Sequence, residues 1–133
     1  MKRTPIGIVG CGNISRAYFK NCRLFPNLEV IACADLDIER ARQAAETYGI
    51  PHVLAVDELI ASPDVLLVVN LTVPEAHAPL DCRALLGKKH VFSEKPFGLT
   101  VREGRQILET AEACGRRVGC APDTVLGAGV QTC

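Results

Sequence analysis

Residues 5–15, P-I-G-I-V-G-C-G-N-I-S, compress three events into eleven positions. The apolar run Ile6-Gly7-Ile8-Val9 stops at Gly10-Cys11-Gly12, and a helical pattern begins at Asn13 and Ile14. That is a buried strand, a tight turn and a helix start, the opening of a strand–helix–strand crossover. The turn is nearly G-x-G-x-x-G, with Ser15 in the third glycine position. Gly10 can take the positive φ of a tight turn, and Gly12 lets a pyrophosphate approach the backbone with no Cβ in the way. The amides of Asn13 and Ile14 would then face the phosphates from a helix N-terminus. Ser15 is small enough to keep helix and strand fairly close.

The chain then repeats the strand-then-helix pattern. Ile14, Ala17, Tyr18, Cys22 and Phe25 recur at helical spacing until Pro26. Leu28–Ala34 reads as a second strand that runs into Asp35-Leu36-Asp37. Ile38, Ala41, Ala45 and Tyr48 mark a second helix, closed by Gly49 with Pro51 beyond it. A short strand over 52–54 and at most a helical turn over 57–61 come next. The stretch D-V-L-L-V-V at 64–69 is apolar at successive positions, as a strand covered on both faces must be.

A helix over 76–86 follows, ending at Gly87, with Pro79 tolerable only near its first turn. Residues 89–93 form a fifth strand that ends in Glu94-Lys95-Pro96. Thr100-Val101-Arg102-Glu103 has the form of a capping box. It opens a helix with Ile107, Leu108, Ala111 and Cys114 on one face, closed by Gly115. A sixth strand over 117–121 leads into Pro122-Asp123-Thr124. This alternation implies right-handed crossovers and an α/β fold. The expected form is a doubly wound parallel sheet of the Rossmann type, about six strands in the order 3-2-1-4-5-6 with helices on both faces.

Composition fits one such domain. At 133 residues, with 48% hydrophobic but only 5% aromatic, the chain can bury a core packed from Ala, Val, Leu and Ile. Fifteen basic and fifteen acidic residues cancel, so no global field recruits nucleic acid or an anionic membrane. The apolar run at 65–69 is far too short to span a bilayer. Met1-Lys2-Arg3 before Ile6 faintly imitates a signal peptide, but the apolar stretch is short and interrupted by Gly7 and Gly10, so a cytoplasmic location is expected. The pairs Lys88-Lys89 and Arg116-Arg117 read as solvated turns. Seven cysteines, an odd number without a C-x-x-C pair, suggest neither a metal site nor a disulfide framework. Cys33 and Cys120 read as small buried hydrophobes, and Cys11 as a spacer in the glycine turn.

Asp35 lies 23 residues after Gly12, at the end of the second strand. A carboxylate there can accept hydrogen bonds from adenosine ribose hydroxyls, and it would repel a 2′-phosphate, favouring NAD over NADP. The alternative is that Asp35 only ends the strand while Asp37 caps the next helix. Arg40 or Arg42 could partner a 2′-phosphate, or simply face solvent. Three more polar clusters fall where strands four, five and six end: Asn70-Leu71-Thr72-Val73-Pro74 with His77, Glu94-Lys95-Pro96, and Asp123-Thr124. Polar groups from separate turns converging on one edge are what a binding crevice requires. His90, inside strand five, reads as packed rather than catalytic.

These pieces resemble the N-terminal half of the glucose–fructose oxidoreductase / inositol dehydrogenase (Gfo/Idh/MocA) family of NAD(P)-dependent sugar dehydrogenases. The matching elements are Gly10-Cys11-Gly12-Asn13-Ile14-Ser15, Asn70-Leu71-Thr72-Val73-Pro74 with His77, and Gly87-Lys88-Lys89-His90-Val91 leading into Glu94-Lys95-Pro96. The segment from Pro122-Asp123-Thr124 through Leu126-Gly127 to Gln131-Thr132 also resembles a sugar-oxidoreductase subgroup. The resemblance implies that Lys95 hydrogen-bonds the substrate hydroxyl being oxidised and relays its proton. It implies that Glu94 holds the nicotinamide end and that Pro96 fixes the backbone, with a cis peptide as one way of doing so. Asn70, Thr72, Pro74 and His77 would line the cofactor near its middle, and Asp123 and Thr124 would face the substrate.

The family also has a second α/β domain, which supplies most substrate contacts, a downstream Asp/His pair and the usual oligomer interface. Relative to that pattern the sequence stops at Cys133, with residues 1–121 as the dinucleotide-binding domain and 122–133 as the start of a linking helix. Two function classes stay open. One is the NAD(P)-binding half of an oxidoreductase acting on a sugar or polyol, with a homo-oligomer possible. The other is a non-catalytic nucleotide-binding or protein-interaction module left by truncation, with Val125, Leu126 and Val130 seeking a partner.

Overall fold

A computed structural model describes residues 3–122 and 128–132. Six strands alternate with helices: β1 (Thr4–Val9), α1 (Ser15–Cys22), β2 (Leu28–Ala34), α2 (Ile38–Tyr48), β3 (His52–Val53) and α3 (Val56–Ala61) form the first half. β4 (Leu67–Asn70), α4 (Pro74–Leu86), β5 (His90–Ser93), α5 (Val101–Cys114), β6 (Val118–Cys120) and α6 (Ala128–Gln131) form the second. The strands make one parallel sheet in the order β3-β2-β1-β4-β5-β6, the arrangement that the alternation predicts.

Both faces are covered. Ile6, Ile8, Cys33 and Val69 point to a core shared with Phe19 of α1 and with Ala41, Ala44 and Ala45 of α2. Val9, Ala34, Val68 and Val91 point the other way, onto Leu59 and Ile60 of α3, Ala84 and Leu85 of α4, and Ile107 and Ala111 of α5. Neighbours such as Val68 and Val69 go to opposite cores, which is why β4 must be apolar at every position.

Several element edges differ from the sequence reading, each for a local reason. α1 ends at Cys22, and Ile14 and Phe25 stay half exposed. Its core contact is made by Phe19, which stacks on Tyr48 at 4.9 Å. α3 is a six-residue helix, not a single turn, because Leu59 and Ile60 both reach the core. β4 begins only at Leu67, although Val65 before it is buried. α4 begins at Pro74, whose missing N–H falls at a position with no helical partner. Pro79 therefore lies beyond the first turn, on the exposed side, where solvent can serve the carbonyl it leaves unpaired. Leu108 of α5 is exposed, because the buried stripe there is only Ile107 and Ala111. Lys89 is not solvated: it is buried, and its ammonium donates to the carbonyls of Val65 (2.7 Å) and Ser62.

The caps are as the sequence implies. Asp37 accepts from the amides of Glu39 and Arg40, and Gly49 closes α2 at φ 61°. Thr100 Oγ1 accepts from the Glu103 amide at 3.1 Å, and Glu103 returns a bond to the Thr100 amide.

Gly10 holds the first turn at φ 98°, and a Cβ there would stand 2.6 Å from the carbonyl carbon and oxygen of Leu71. Backbone cannot yield as a side-chain tip can. Gly10→Ala is therefore expected to lose about 2–4 kcal/mol in urea unfolding, from the left-handed conformation plus the clash. Thr100→Ala should lose only about 1 kcal/mol, the usual worth of an N-cap.

Candidate functional site

The strand ends are level. Val9 pairs with Ala34 and Asn70, Asn70 with Ser93, and Ser93 with Cys120, so the turns that follow share one edge of the sheet. At its centre the β1–α1 turn meets the β4–α4 turn, where Leu71 donates its amide to the Val9 carbonyl at 2.8 Å. This is the switch point where helices leave to opposite faces, and ligands of such sheets bind there.

Gly12 is the open side of the turn. A Cβ built on it would meet nothing within 4 Å, and the exposed Asn13 and Ile14 follow. The space fits a pyrophosphate against backbone amides. Ser15 is buried and donates its hydroxyl to the Gly12 carbonyl at 2.6 Å. The residue replacing the third glycine thus pins the turn from below. α1 begins at Ser15, with Asn13 and Ile14 in the turn before it.

Asp35 is tied to that turn. Its Oδ2 accepts from the Cys11 amide at 2.7 Å and its Oδ1 from the Asp37 amide at 2.8 Å. Each carboxylate oxygen keeps a lone pair for a ligand hydroxyl. Arg40 lies 3.9 Å from Asp35 and 3.8 Å from Asp37, its side chain about half exposed. Cys11 is buried, and the neighbouring Cys33 thiol and burial both push its thiol up, so it stays protonated and serves as packing.

At the other end of the edge, Glu94 is gripped twice. Tyr18 on α1 donates its phenol to Oε1 at 2.8 Å, and the Lys95 amide donates to Oε2 at 3.0 Å. Burial and Glu94 both raise the Tyr18 phenol, which keeps it a donor. Lys95 and Pro96 are exposed, and the bond between them is cis.

Asn70 and His77, expected to line the cofactor near its middle, are buried at the end of β4 and in α4. Asn70 is fully buried; its oxygen accepts from the Thr72 amide (3.1 Å) and hydroxyl (2.6 Å). Its amide donates to Asp81 Oδ1 (2.7 Å) and the His77 carbonyl (3.3 Å). Both His77 ring nitrogens face backbone carbonyls, those of Pro96 and Thr72. Their polar atoms are thus committed inside the protein. Thr72 and Pro74 are at the surface of the edge, partly and fully exposed. His90 is half-buried and accepts from the Arg117 amide at 3.0 Å. Asp123 and Thr124 lie outside the described residues, as do Val125 and Leu126.

Sequence reasoning missed Tyr18 and Asp81. By its spacing Tyr18 reads as one of the apolar positions of α1, although a phenol next to a ligand turn carries a donor. Asp81 follows His77 by four residues on a face otherwise apolar (Ala78, Leu85), a signal that was there to read.

Among the described residues no helix is long and apolar enough to cross a membrane. Over residues 4–121 the sequence matches the family described as "Oxidoreductase family, NAD-binding Rossmann fold". It is 32% identical over 116 residues to the inositol 2-dehydrogenase of Burkholderia ambifaria, covering 85% of this chain and 34% of that protein. It is 37% identical over 112 residues to the dTDP-3,4-didehydro-2,6-dideoxy-alpha-D-glucose 3-reductase of Streptomyces violaceoruber, covering 83% of this chain and 32% of that one. The chain thus spans about a third of the length of these relatives. Its fold is also that of the WlbA dehydrogenase of Bordetella pertussis, solved with NADH and UDP-GlcNAcA. That similarity has a TM-score of 0.90 at 20% identity and covers 98% of this chain and 40% of that one. The match across nearly all of the sheet and its turns places this chain in the Gfo/Idh/MocA oxidoreductase family, of which it carries the NAD-binding Rossmann domain.

Proposed function

We propose that the chain forms the cofactor-binding half of an oxidoreductase that moves a hydride between a sugar or polyol hydroxyl and a nicotinamide cofactor, with NAD favoured over NADP. The observation that carries this reading is the alignment of three devices on one edge. These are the open turn at Gly12, the carboxylate of Asp35 to one side, and the Glu94-Lys95-Pro96 segment to the other. An extended dinucleotide would lie along them. Its pyrophosphate would meet the amides of Asn13 and Ile14, and its adenosine ribose would meet Asp35. The nicotinamide ring, when bound, supplies the hydride acceptor or donor.

This chain's residues do the rest. Tyr18 and the Lys95 amide hold Glu94 in one orientation, so its carboxylate can orient the nicotinamide end. As hydride leaves the substrate carbon, the hydroxyl proton passes to the Lys95 side chain; in reduction that side chain returns it. Thr72 and Pro74 flank the middle of the crevice, and Asp123 and Thr124 would face the substrate. In this reading residues 1–121 form the dinucleotide domain and the rest of the chain leads toward a substrate domain. A cytoplasmic location accompanies this reading, and a homo-oligomer stays open.

Titration calorimetry tests the cofactor. NAD is expected to bind more tightly than NADP, and Asp35→Ala should weaken NAD by about tenfold through loss of charge-assisted bonds to the ribose. Absence of binding by either at millimolar concentration sinks the cofactor reading, whereas a preference for NADP would transfer the selecting role to Arg40. A panel of sugars and polyols tests the chemistry. Lys95→Ala should lower kcat by about 10²–10⁴-fold with NAD affinity little changed. Equal turnover by the variant would remove Lys95 from the mechanism.

A further inference from the structure

His77 and Asp81 stand four residues apart on α4 and point into the same layer beneath the ligand edge, 1% and 0% exposed. The imidazole Nδ1 lies 2.7 Å from the Pro96 carbonyl oxygen and Nε2 lies 2.9 Å from that of Thr72. A carbonyl oxygen only accepts. A neutral ring has one N–H, so its bare nitrogen would aim a lone pair at one of these oxygens at hydrogen-bond distance, with no water to intervene. Only a ring protonated on both nitrogens satisfies both carbonyls.

A buried cation needs a counter-charge. The Asp81 carboxyl is the candidate: Oδ1 takes the Asn70 amide, and Oδ2 has no hydrogen-bond partner. Burial holds the Asp81 carboxyl above the usual carboxylate range, outweighing the Asn70 amide and the His77 charge, which act the other way. The other groups facing this layer are Cys120 of β6, whose thiol burial and then Asp81 and Glu94 push up, and Tyr18 of α1 with Glu94 and Lys95 after β5.

We propose that His77 is a buried imidazolium, neutralised by Asp81, that ties the Thr72 turn to the Pro96 carbonyl and so positions Glu94 and Lys95 against the cofactor. Its positioning role rests on the function proposed above, while its charge does not. Loss of the second proton would turn one strut into a repulsion and release one of the two turns.

The test is side-chain ¹H–¹⁵N NMR of the full chain, titrated from neutral to alkaline pH, with NAD affinity followed in parallel. The expected spectrum shows both ring nitrogens of His77 protonated at neutral pH. Its deprotonation should move at least about one pH unit lower in Asp81→Asn, as loss of a near opposite charge requires. A singly protonated ring at neutral pH in the unmodified chain overturns the proposal without recourse to any variant. An unmoved titration in Asp81→Asn overturns the pairing. NAD affinity should weaken several-fold as the ring deprotonates, and this step should vanish in His77→Gln, whose amide does not titrate. An affinity that ignores the ring's titration overturns the positioning role. Failure of NAD to bind at any pH would instead refute the proposed function, leaving the protonation result to decide the charge.

Discussion

Parallel strands that end at one level leave a row of carbonyls and amides with no further strand to pair with, and the architecture at the ligand edge depends on how these are satisfied. Here the row runs Val9, Ala34, Asn70, Ser93 and Cys120. Backbone covers part of it: Gly10 bonds to Ala34, Leu71 to Val9, Glu94 to Asn70 and Ala121 to Ser93, each turn starting on a neighbour's carbonyl. The close meeting of Gly10 with Leu71 follows from this continuation, because two turns leave the central pair of strands from almost one point. The turns are held by one another before any ligand enters.

The remaining polar groups form a buried layer beneath the edge. Asn70 uses both atoms of its side-chain amide, in four hydrogen bonds. Leaving even one such group unsatisfied in a dry site costs about 1–3 kcal/mol, so the layer is specific as well as stabilising. Its function under the proposed reading is indirect. Glu94 and Lys95 lie at the edge, and Asn70, His77 and Tyr18 fix the backbone or side-chain angle from which they meet it. Precision at the surface comes from these supports.

That division explains what was legible in the sequence. Continuous apolar runs, glycine caps and the Thr100 capping box each carry a local physical signal, and they sufficed for the strand order and for the edge on which the turns gather. Helix faces were harder, because Phe19 and Ile14, or Ile107 and Leu108, are equally apolar, and only the position of the sheet says which one is buried. The same limit applies to the site. Asn70 and His77 stand in a motif beside Thr72 and Pro74, and spacing alone cannot tell a residue that meets a ligand from one that braces it. Depth adds what spacing lacks: Asn70 at the end of β4 and His77 one turn into α4 are both buried.

Asp35 joins the two halves of the crevice in a way that position alone does not reveal. As a strand-end carboxylate it need only meet a ribose, yet its Oδ2 also holds the Cys11 amide between the two glycines. The residue that would select the adenosine end therefore also shapes the turn that would hold the pyrophosphate. Arg40, half exposed at 3.9 Å, neutralises part of this charge from the solvent side, where screening keeps such a pair weak. A change of cofactor preference at Asp35 cannot then be a change of ribose contact alone. Any side chain unable to accept from Cys11 leaves that amide without its partner, and the cost appears as weaker binding of both dinucleotides before any gain for one of them.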